Sequence, residues 1–220
     1  MANHCYNYGY FVGNRTEIKK LLAQAKKVEV TVENEYRNTD ENSAQVSLWA
    51  SVYSKILMNK PDQKEDGTYE ASFDVYDKYG SKWFEAYFQM QDHGNEDEIG
   101  LTISGDSAWS PMLPLFQKIC KKYKLTCEGN YEESGMDFAG EFTIDIKGNI
   151  EETQMSYGEF QQRNNPESYW DSLICNIEDG YYNDLESIYD EFNPEYWKLQ
   201  EHEKEQLKEC FEKYQSEQTK

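Results

Sequence analysis

The amino-acid sequence predicts an α+β fold: a mainly antiparallel sheet with helices on one face, followed by an acidic helical C-terminal region. Three observations carry that prediction. Apolar and polar residues alternate with period two in several stretches, most clearly from Met136 to Ile146. Between such stretches lie two segments, near 15–26 and 111–123, whose apolar residues recur at three- and four-residue spacings. After about residue 156 the alternation stops, and acids interleave with aromatics.

Taken in order, Tyr6, Tyr8, Tyr10 and Val12 alternate with Cys5, Asn7, Gly9 and Phe11, a first strand that Gly13-Asn14 ends. Asn14 or Thr16 caps a helix to about Lys26, with Ile18, Leu21, Leu22 and Ala25 inward. Val28, Val30 and Val32 predict a second strand. Residues 34–67 read as an insertion, polar to Asn42. From Ser43, the spacing of Leu48, Trp49, Val52, Tyr53, Ile56 and Leu57 predicts a helix, and a loop follows from Lys60. Tyr69, Ala71, Phe73 and Val75 alternate as a strand that Asp77–Gly80 turns. Lys82–Gln91 returns as its hairpin partner, with Phe84, Ala86, Phe88 and Met90 on one face. His93–Glu98 is an acidic loop, and Ile99–Ser104 a strand that turns at Gly105-Asp106-Ser107-Ala108.

Trp109-Ser110-Pro111 reads as a corner with a packed indole and a helix start capped by Ser110, although Pro114 offers a later start. Leu115, Phe116, Ile119, Cys120 and Tyr123 share one face of that helix. Lys118, Lys121, Lys122 and Lys124 crowd its end, where cations suit the helix dipole. Leu125–Glu132 is extended, Glu133-Ser134-Gly135 turns, and Met136–Ile146 alternates. Gly140 on the apolar face of that strand predicts a large side chain packed over it. Lys147–Asn149 turns into a strand through Met155. In the tail, Asn165-Pro166-Glu167 starts a helix bearing Tyr169, Trp170 and Leu173, and Leu185, Ile188, Tyr189 and Phe192 have helical spacing. Asn193-Pro194-Glu195 signals a further helix to about Tyr214. The order β-α-β, inserted helix, β-β-β-α-β-β-β suits an enlarged ferredoxin-like sandwich over residues 1–156, with 157–220 an acidic, aromatic-rich extension.

Several short motifs point the same way. Ala2-Asn3-x-Cys5-x-Asn7, Trp109-Ser110-Pro111 and Glu132-Glu133-x-Gly135-Met136-Asp137-Phe138-x-Gly140 together resemble the YubB-like ferredoxin-like domain family of plasmid, phage and bacterial proteins. The resemblance spans roughly residues 2–155 and implies the ferredoxin-like fold without implying an activity. His4 stands where the family pattern leads one to expect Trp, residues 34–67 look inserted, and the tail after 156 matches no pattern in this reading.

Composition bounds the function. The formal net charge is −20, with 42 acids against 22 bases. That field opposes nonspecific binding to nucleic acid or to anionic membrane, which needs positive potential. Residues 151–220 alone hold 18 acids and 6 bases, so the tail is the more acidic part. No apolar run approaches the ~18–20 residues that span a bilayer. The N-terminal residues have neither the basic start nor the apolar stretch of a secretory leader, so a cytoplasmic location is expected. Five widely spaced cysteines suggest neither a metal site nor a disulfide framework, and Cys120 and Cys127 read as small core hydrophobes.

No catalytic or metal-binding residue announces itself, and no cofactor is implied: the chain has no Walker loop, GxGxxG or HExxH. Two groups are candidates. In the tail, Tyr181, Tyr182, Asp184, Glu186, Tyr189, Asp190 and Glu191 combine charge with aromatic contact surface. In the core domain, Trp109, Glu132, Glu133, Asp137 and Glu141 surround the 133–135 turn, where the carboxylates could do acid/base work or simply solvate a strand face. The leading expectation is a non-enzymatic binding protein of mobile-element type with a protein partner. The alternatives are a nucleic-acid mimic that inhibits a basic host protein, and an enzyme using the 132–141 carboxylates.

Overall fold

The computed structural model describes residues 4–28, 40–49, 53, 55–58, 77–91, 97–195 and 197–218. The chain divides into two compact units, Met1–Gln154 and Met155–Lys220.

The first unit is built on a seven-stranded sheet with strand order β2-β3-β4-β1-β5-β6-β7. The strands are β1 (His4–Asn14), β2 (Ser43–Trp49), β3 (Trp83–Gln91), β4 (Glu98–Ala108), β5 (Thr126–Glu133), β6 (Phe138–Ile144) and β7 (Ile150–Met155). Helix α1 (Arg15–Lys27) follows β1, and α2 (Leu113–Tyr123) follows β4. The central order β3-β4-β1-β5, with β1 antiparallel to both neighbours, is the split β-α-β arrangement of a ferredoxin-like sandwich. β2 widens the sheet at one edge, and β6 and β7 widen it at the other.

The alternation in β1 decides which face is covered. Cys5, Asn7, Gly9, Phe11 and Gly13 point to the helices and are buried, whereas Tyr6, Tyr8, Tyr10 and Val12 are not. Ile18, Leu21, Leu22 and Ala25 of α1 and Leu115, Phe116, Ile119, Cys120 and Tyr123 of α2 close over that face. Phe116 is the hub, with ring centroids 5.3 Å from Phe11, 6.1 Å from Phe84 and 5.9 Å from Phe142. Room for it comes from Gly9 and Gly129, which oppose each other across β1 and β5. A Cβ on Gly9 would stand 3.1 Å from the Phe116 ring, and one on Gly129 2.8 Å from Phe142.

A buried polar knot fixes where α2 begins. Asn7 donates to the Cys5 carbonyl (2.8 Å) and to Ser107 Oγ (2.9 Å), and its Oδ1 accepts from the Met112 N–H (2.7 Å). Ser107 Oγ in turn donates to the Ser110 carbonyl (2.7 Å), and Ser81 Oγ donates to the Ala108 carbonyl (2.8 Å) and accepts its N–H (2.9 Å). Ser110 therefore does not cap the helix: its hydroxyl donates to the Gly80 carbonyl, and Met112 is the N-cap, with Pro114 in the first turn. Asn14 caps α1, accepting from Thr16 N–H at 2.9 Å.

Other expectations change. Ser43–Trp49 is a strand, not part of a helix, and only residues 53, 55 and 56 beyond it are helical among those described. Ala44 and Val46 are buried at period two, a signal that the later Val52, Tyr53, Ile56 spacing masked. β3 pairs with β2 and β4, and the stretch 69–75 expected to pair with it lies outside the described residues. Val28 is the turn that closes α1, and Val30 and Val32 lie outside the described residues. So does most of the acidic loop His93–Glu98, whose last residue opens β4. Gly105–Ala108 continues β4 instead of turning, because the Ser81 and Asn7 bonds hold it in the ladder. β6 is shorter than its alternation, and Met136 and Ile146 beyond its ends are 60% and 47% exposed.

The second unit comprises α3 (Tyr157–Asn164), α4 (Pro166–Glu178), α5 (Leu185–Tyr189) and α6 (Glu201–Gln218) among its described residues. Its own core is Leu173, Ile177, Ile188, Phe192, Leu207 and Phe211. α3 was not foreseen. It begins at a capping box in which Ser156 Oγ accepts the Glu159 N–H and Glu159 accepts the Ser156 N–H, both at 3.1 Å. The last helix starts at Glu201 and not at Asn193, because Asn193 is spent on α3: it donates to Glu159 (2.7 Å) and accepts from the Glu195 N–H (3.0 Å).

Two substitutions test this architecture. Asn7→Ala orphans the buried Met112 N–H and is expected to cost about 1–3 kcal/mol. Phe116→Ala empties the aromatic hub and is expected to cost about 3–5 kcal/mol. Both are read as shifts of the urea midpoint at unchanged slope.

Candidate functional site

The helices α1 and α2 of the first unit both pack on the first face of the sheet, not on the second. Strand registers arrange its side chains in three cross-strand rows. The first runs Glu85, Asp106, Tyr6 and Glu132; the second Tyr87, Ser104, Tyr8, Asn130 and Glu141; the third Gln89, Thr102, Tyr10, Glu128 and Thr143. These rows hold five carboxylates, four tyrosines and no basic residue, and none of these side chains is fully buried. Glu85 and Asp106 stand directly opposite each other. Like charges so placed on a sheet destabilise it, which a bound cation would relieve.

Toward β7 this face is concave. A cavity of about 520 Å³ is lined by Tyr8, Glu128, Asn130, Glu141, Glu151 and Glu152, with neighbouring threonines and backbone. Tyr131 crosses Gly140 from the helix side and donates to Glu152 Oε1 at 2.5 Å. The glycine on the apolar face thus admits the large ring that its position predicts. Burial first, and then the bond to Glu152, raise the Tyr131 phenol well above its ordinary pKa, so it stays a donor.

The structure divides the carboxylates around the 133–135 turn. Glu132 and Glu141 lie on the helix-free face, on adjacent strands and offset by two pairs. Glu133 points the other way, is buried, and accepts the Gly135 N–H (3.0 Å) and the Met136 N–H (2.5 Å), so it holds the turn together. Asp137 sits in the turn itself at φ 52°. Only Glu141 of the four lines the cavity, beside Glu128, Glu151 and Glu152, which the sequence reading did not single out. Their signal was present: Tyr6, Tyr8 and Tyr10 at period two, facing Glu132, Asn130 and Glu128. Trp109 is not packed as expected. It is 45% exposed and adopts φ 69°, a conformation uncommon for so bulky a residue.

In the tail, Tyr182 and Tyr189 pack against the second core, while Tyr181 is 73% exposed. Burial first, then the charge of Glu191, push the Tyr182 phenol up to about 12. Asp184 caps α5 through the Ser187 N–H (2.8 Å), which holds its carboxyl below the ordinary range. Glu186, Asp190 and Glu191 are exposed. Cys120 and Cys127 are buried, and burial pushes the Cys127 thiol up and away from nucleophile chemistry. Among the described residues no group of three His, Cys, Asp or Glu side chains comes together as a metal site, and no helix is long and apolar enough to cross a membrane.

Residues 83–172, under half of the chain, match the family described as the ferredoxin-like domain in Api92-like protein. The match starts at β3 and runs into α4, so part of the tail is covered and β1 is not. No curated protein and no solved structure matches the chain.

The acids should separate by experiment. Glu133→Ala leaves two turn amides unsatisfied and is expected to cost about 1–3 kcal/mol, whereas Glu128→Ala on the open face should stay within about 0.5 kcal/mol of the parent in urea denaturation. Glu159 offers a pH test. The Ser156 N–H and then the Asn193 carboxamide hold its carboxyl below the ordinary range. Its stabilisation is therefore complete above the unfolded pKa of about 4.3 and is lost as pH falls through the lower folded value. Thermal melts of Glu159→Gln should fall less steeply than the parent's between about pH 6 and pH 3.

Proposed function

We propose that this chain is a non-enzymatic binding protein of the YubB-like, mobile-element type, acting in the cytoplasm, whose open sheet face holds an arginine-rich segment of a protein partner. The observation that carries this reading is the three-row array of tyrosines and carboxylates without a base. A guanidinium laid over a tyrosine face gains about 0.5–2 kcal/mol, more as water is excluded. Carboxylates beside the ring accept its N–H groups in pairs, and the planar fork makes arginine the better fit than lysine. Binding also relieves the repulsion between Glu85 and Asp106. The net charge of −20 would steer a basic segment toward the protein at low salt. The motif resemblance and the family match over residues 83–172 support a ferredoxin-like domain and supply no activity.

A second reading has its own observation. The exposed Tyr181, Asp184, Glu186, Asp190 and Glu191 offer an acidic surface of the kind a nucleic-acid mimic would present to a basic host protein.

Fluorescence anisotropy with a labelled arginine-rich peptide separates the two. On the sheet-face reading, Tyr8→Ala and the pair Glu128→Gln with Glu141→Gln each weaken binding by about fivefold or more, and high salt weakens it further. The tail variant Glu186→Lys, Asp190→Lys, Glu191→Lys leaves that binding nearly unchanged. The reverse pattern would move recognition to the tail.

A further inference from the structure

The helix side of the first unit carries the opposite charge. A cavity of about 560 Å³ is lined by Lys78, Lys118, Lys121, Lys122 and Lys124, over a floor of Tyr79 and Leu57. Both floor residues are buried, and Tyr79 stacks on Tyr53 with centroids 4.7 Å apart. Lys118, Lys121 and Lys122 fall on one face of α2 by their three- and four-residue spacing. Lys124 is the left-handed C-cap of that helix, and Lys78 arrives from the turn before β3.

Helix-dipole complementarity accounts for Lys121, Lys122 and Lys124, which sit at the C-terminus of α2. It does not account for Lys118, more than a turn back. Nor does it account for the counter-charges. Acids outnumber bases 42 to 22 in this chain, yet among the described residues Lys118, Lys121, Lys122 and Lys124 form no ion pair. Elsewhere lysines do find carboxylates, as Lys20 does with Glu17 (2.5 Å), Lys204 with Glu201 (3.0 Å) and Lys208 with Glu212 (3.8 Å).

We propose that this lysine pocket binds a small, multiply charged phosphate ligand, such as a di- or triphosphate or its ester. Lys118, Lys121, Lys122 and Lys124 together exceed the charge that one carboxylate would neutralise. Lysine is a point-charge donor suited to phosphate oxygens, which impose no bidentate geometry. The volume lies within the range of small-molecule sites. A long polyanion is disfavoured, because most of it would lie in the negative field of the whole protein, while a compact ligand lies within a Debye length of the lysines. This site is distinct from the acidic sheet face and stands or falls without it.

Isothermal titration calorimetry of the full chain with inorganic triphosphate and with ATP tests the proposal, with a single-stranded oligonucleotide as comparison. The expected result is saturable one-to-one binding, weakened about tenfold or more both by Lys118→Gln with Lys121→Gln and by Lys78→Gln alone. Lys19→Gln with Lys20→Gln on α1 removes the same charge as the first pair and should change binding less than about threefold. Stronger ATP than triphosphate binding identifies an ester, and the reverse identifies the bare phosphate chain. Absence of saturation, equal weakening by the α1 control, or tighter binding of the oligonucleotide than of either small ligand overturns the proposal. Circular dichroism melts that match the parent keep a folding defect from being read as lost binding.

Discussion

The first unit depends on one buried carboxamide. Asn7 sits in the middle of the sheet on the helix side, where an unpaired amide would cost on the order of 1–3 kcal/mol per group. Its amide nitrogen is shared between β1 and β4, and its oxygen holds the first amide of the α2 cap. Because Ser107 and Met112 lie 100 and 105 residues from Asn7 in sequence, satisfying Asn7 fixes the docking position of α2. Phe116 then falls over the Gly9–Gly129 pair, and the aromatic core closes around it.

With α2 and α1 committed to that face, the tyrosines of β1 have only the other. This is a consequence of strand geometry: side chains alternate, so pinning Asn7 inward turns Tyr6, Tyr8 and Tyr10 outward. The same register brings Glu128 and Glu132 of β5 beside them. On the covered side, the solvent edge of α2 carries lysines. The domain is therefore split by sign across its thickness, acids and phenols beneath the sheet and ammonium groups above the helix. The net charge of −20 conceals that arrangement, since it sums the whole chain, the acidic tail included.

Much of this was legible in the residues. The inward set of α1, the inward set of α2 and the ring over Gly140 follow from period and from the absence of a Cβ. Where the reading failed, two local signals competed and tertiary structure decided. Ser43–Trp49 has buried Ala44 and Val46 at strand spacing, but the richer helical pattern of the next segment dominated the window. Asn193-Pro194 has the chemistry of a helix start, yet Glu159 holds the Asn193 amide from another helix, and the chain turns instead. The carboxylates near 133 could not be sorted by sequence, because a strand face and a turn clamp both favour acids. Only the register separates Glu133, facing in, from Glu132 and Glu141, facing out.

The tail illustrates why aromatic content alone does not locate an interface. Rings of Tyr169, Trp170, Phe192 and Trp197 pair edge-on, tilted or stacked, with centroids 5.4 to 6.2 Å apart. A unit of 66 residues has little aliphatic material from which to build a core, and large rings bury the most area per residue. The tail rings are thus mostly spent on stability, and the acids around them are left to water. On the sheet face the relation is reversed. There the aliphatic and phenylalanine core lies on the other side, and none of the tyrosines is fully buried. An aromatic that the core does not need, set among charges of one sign, is the better guide to recognition.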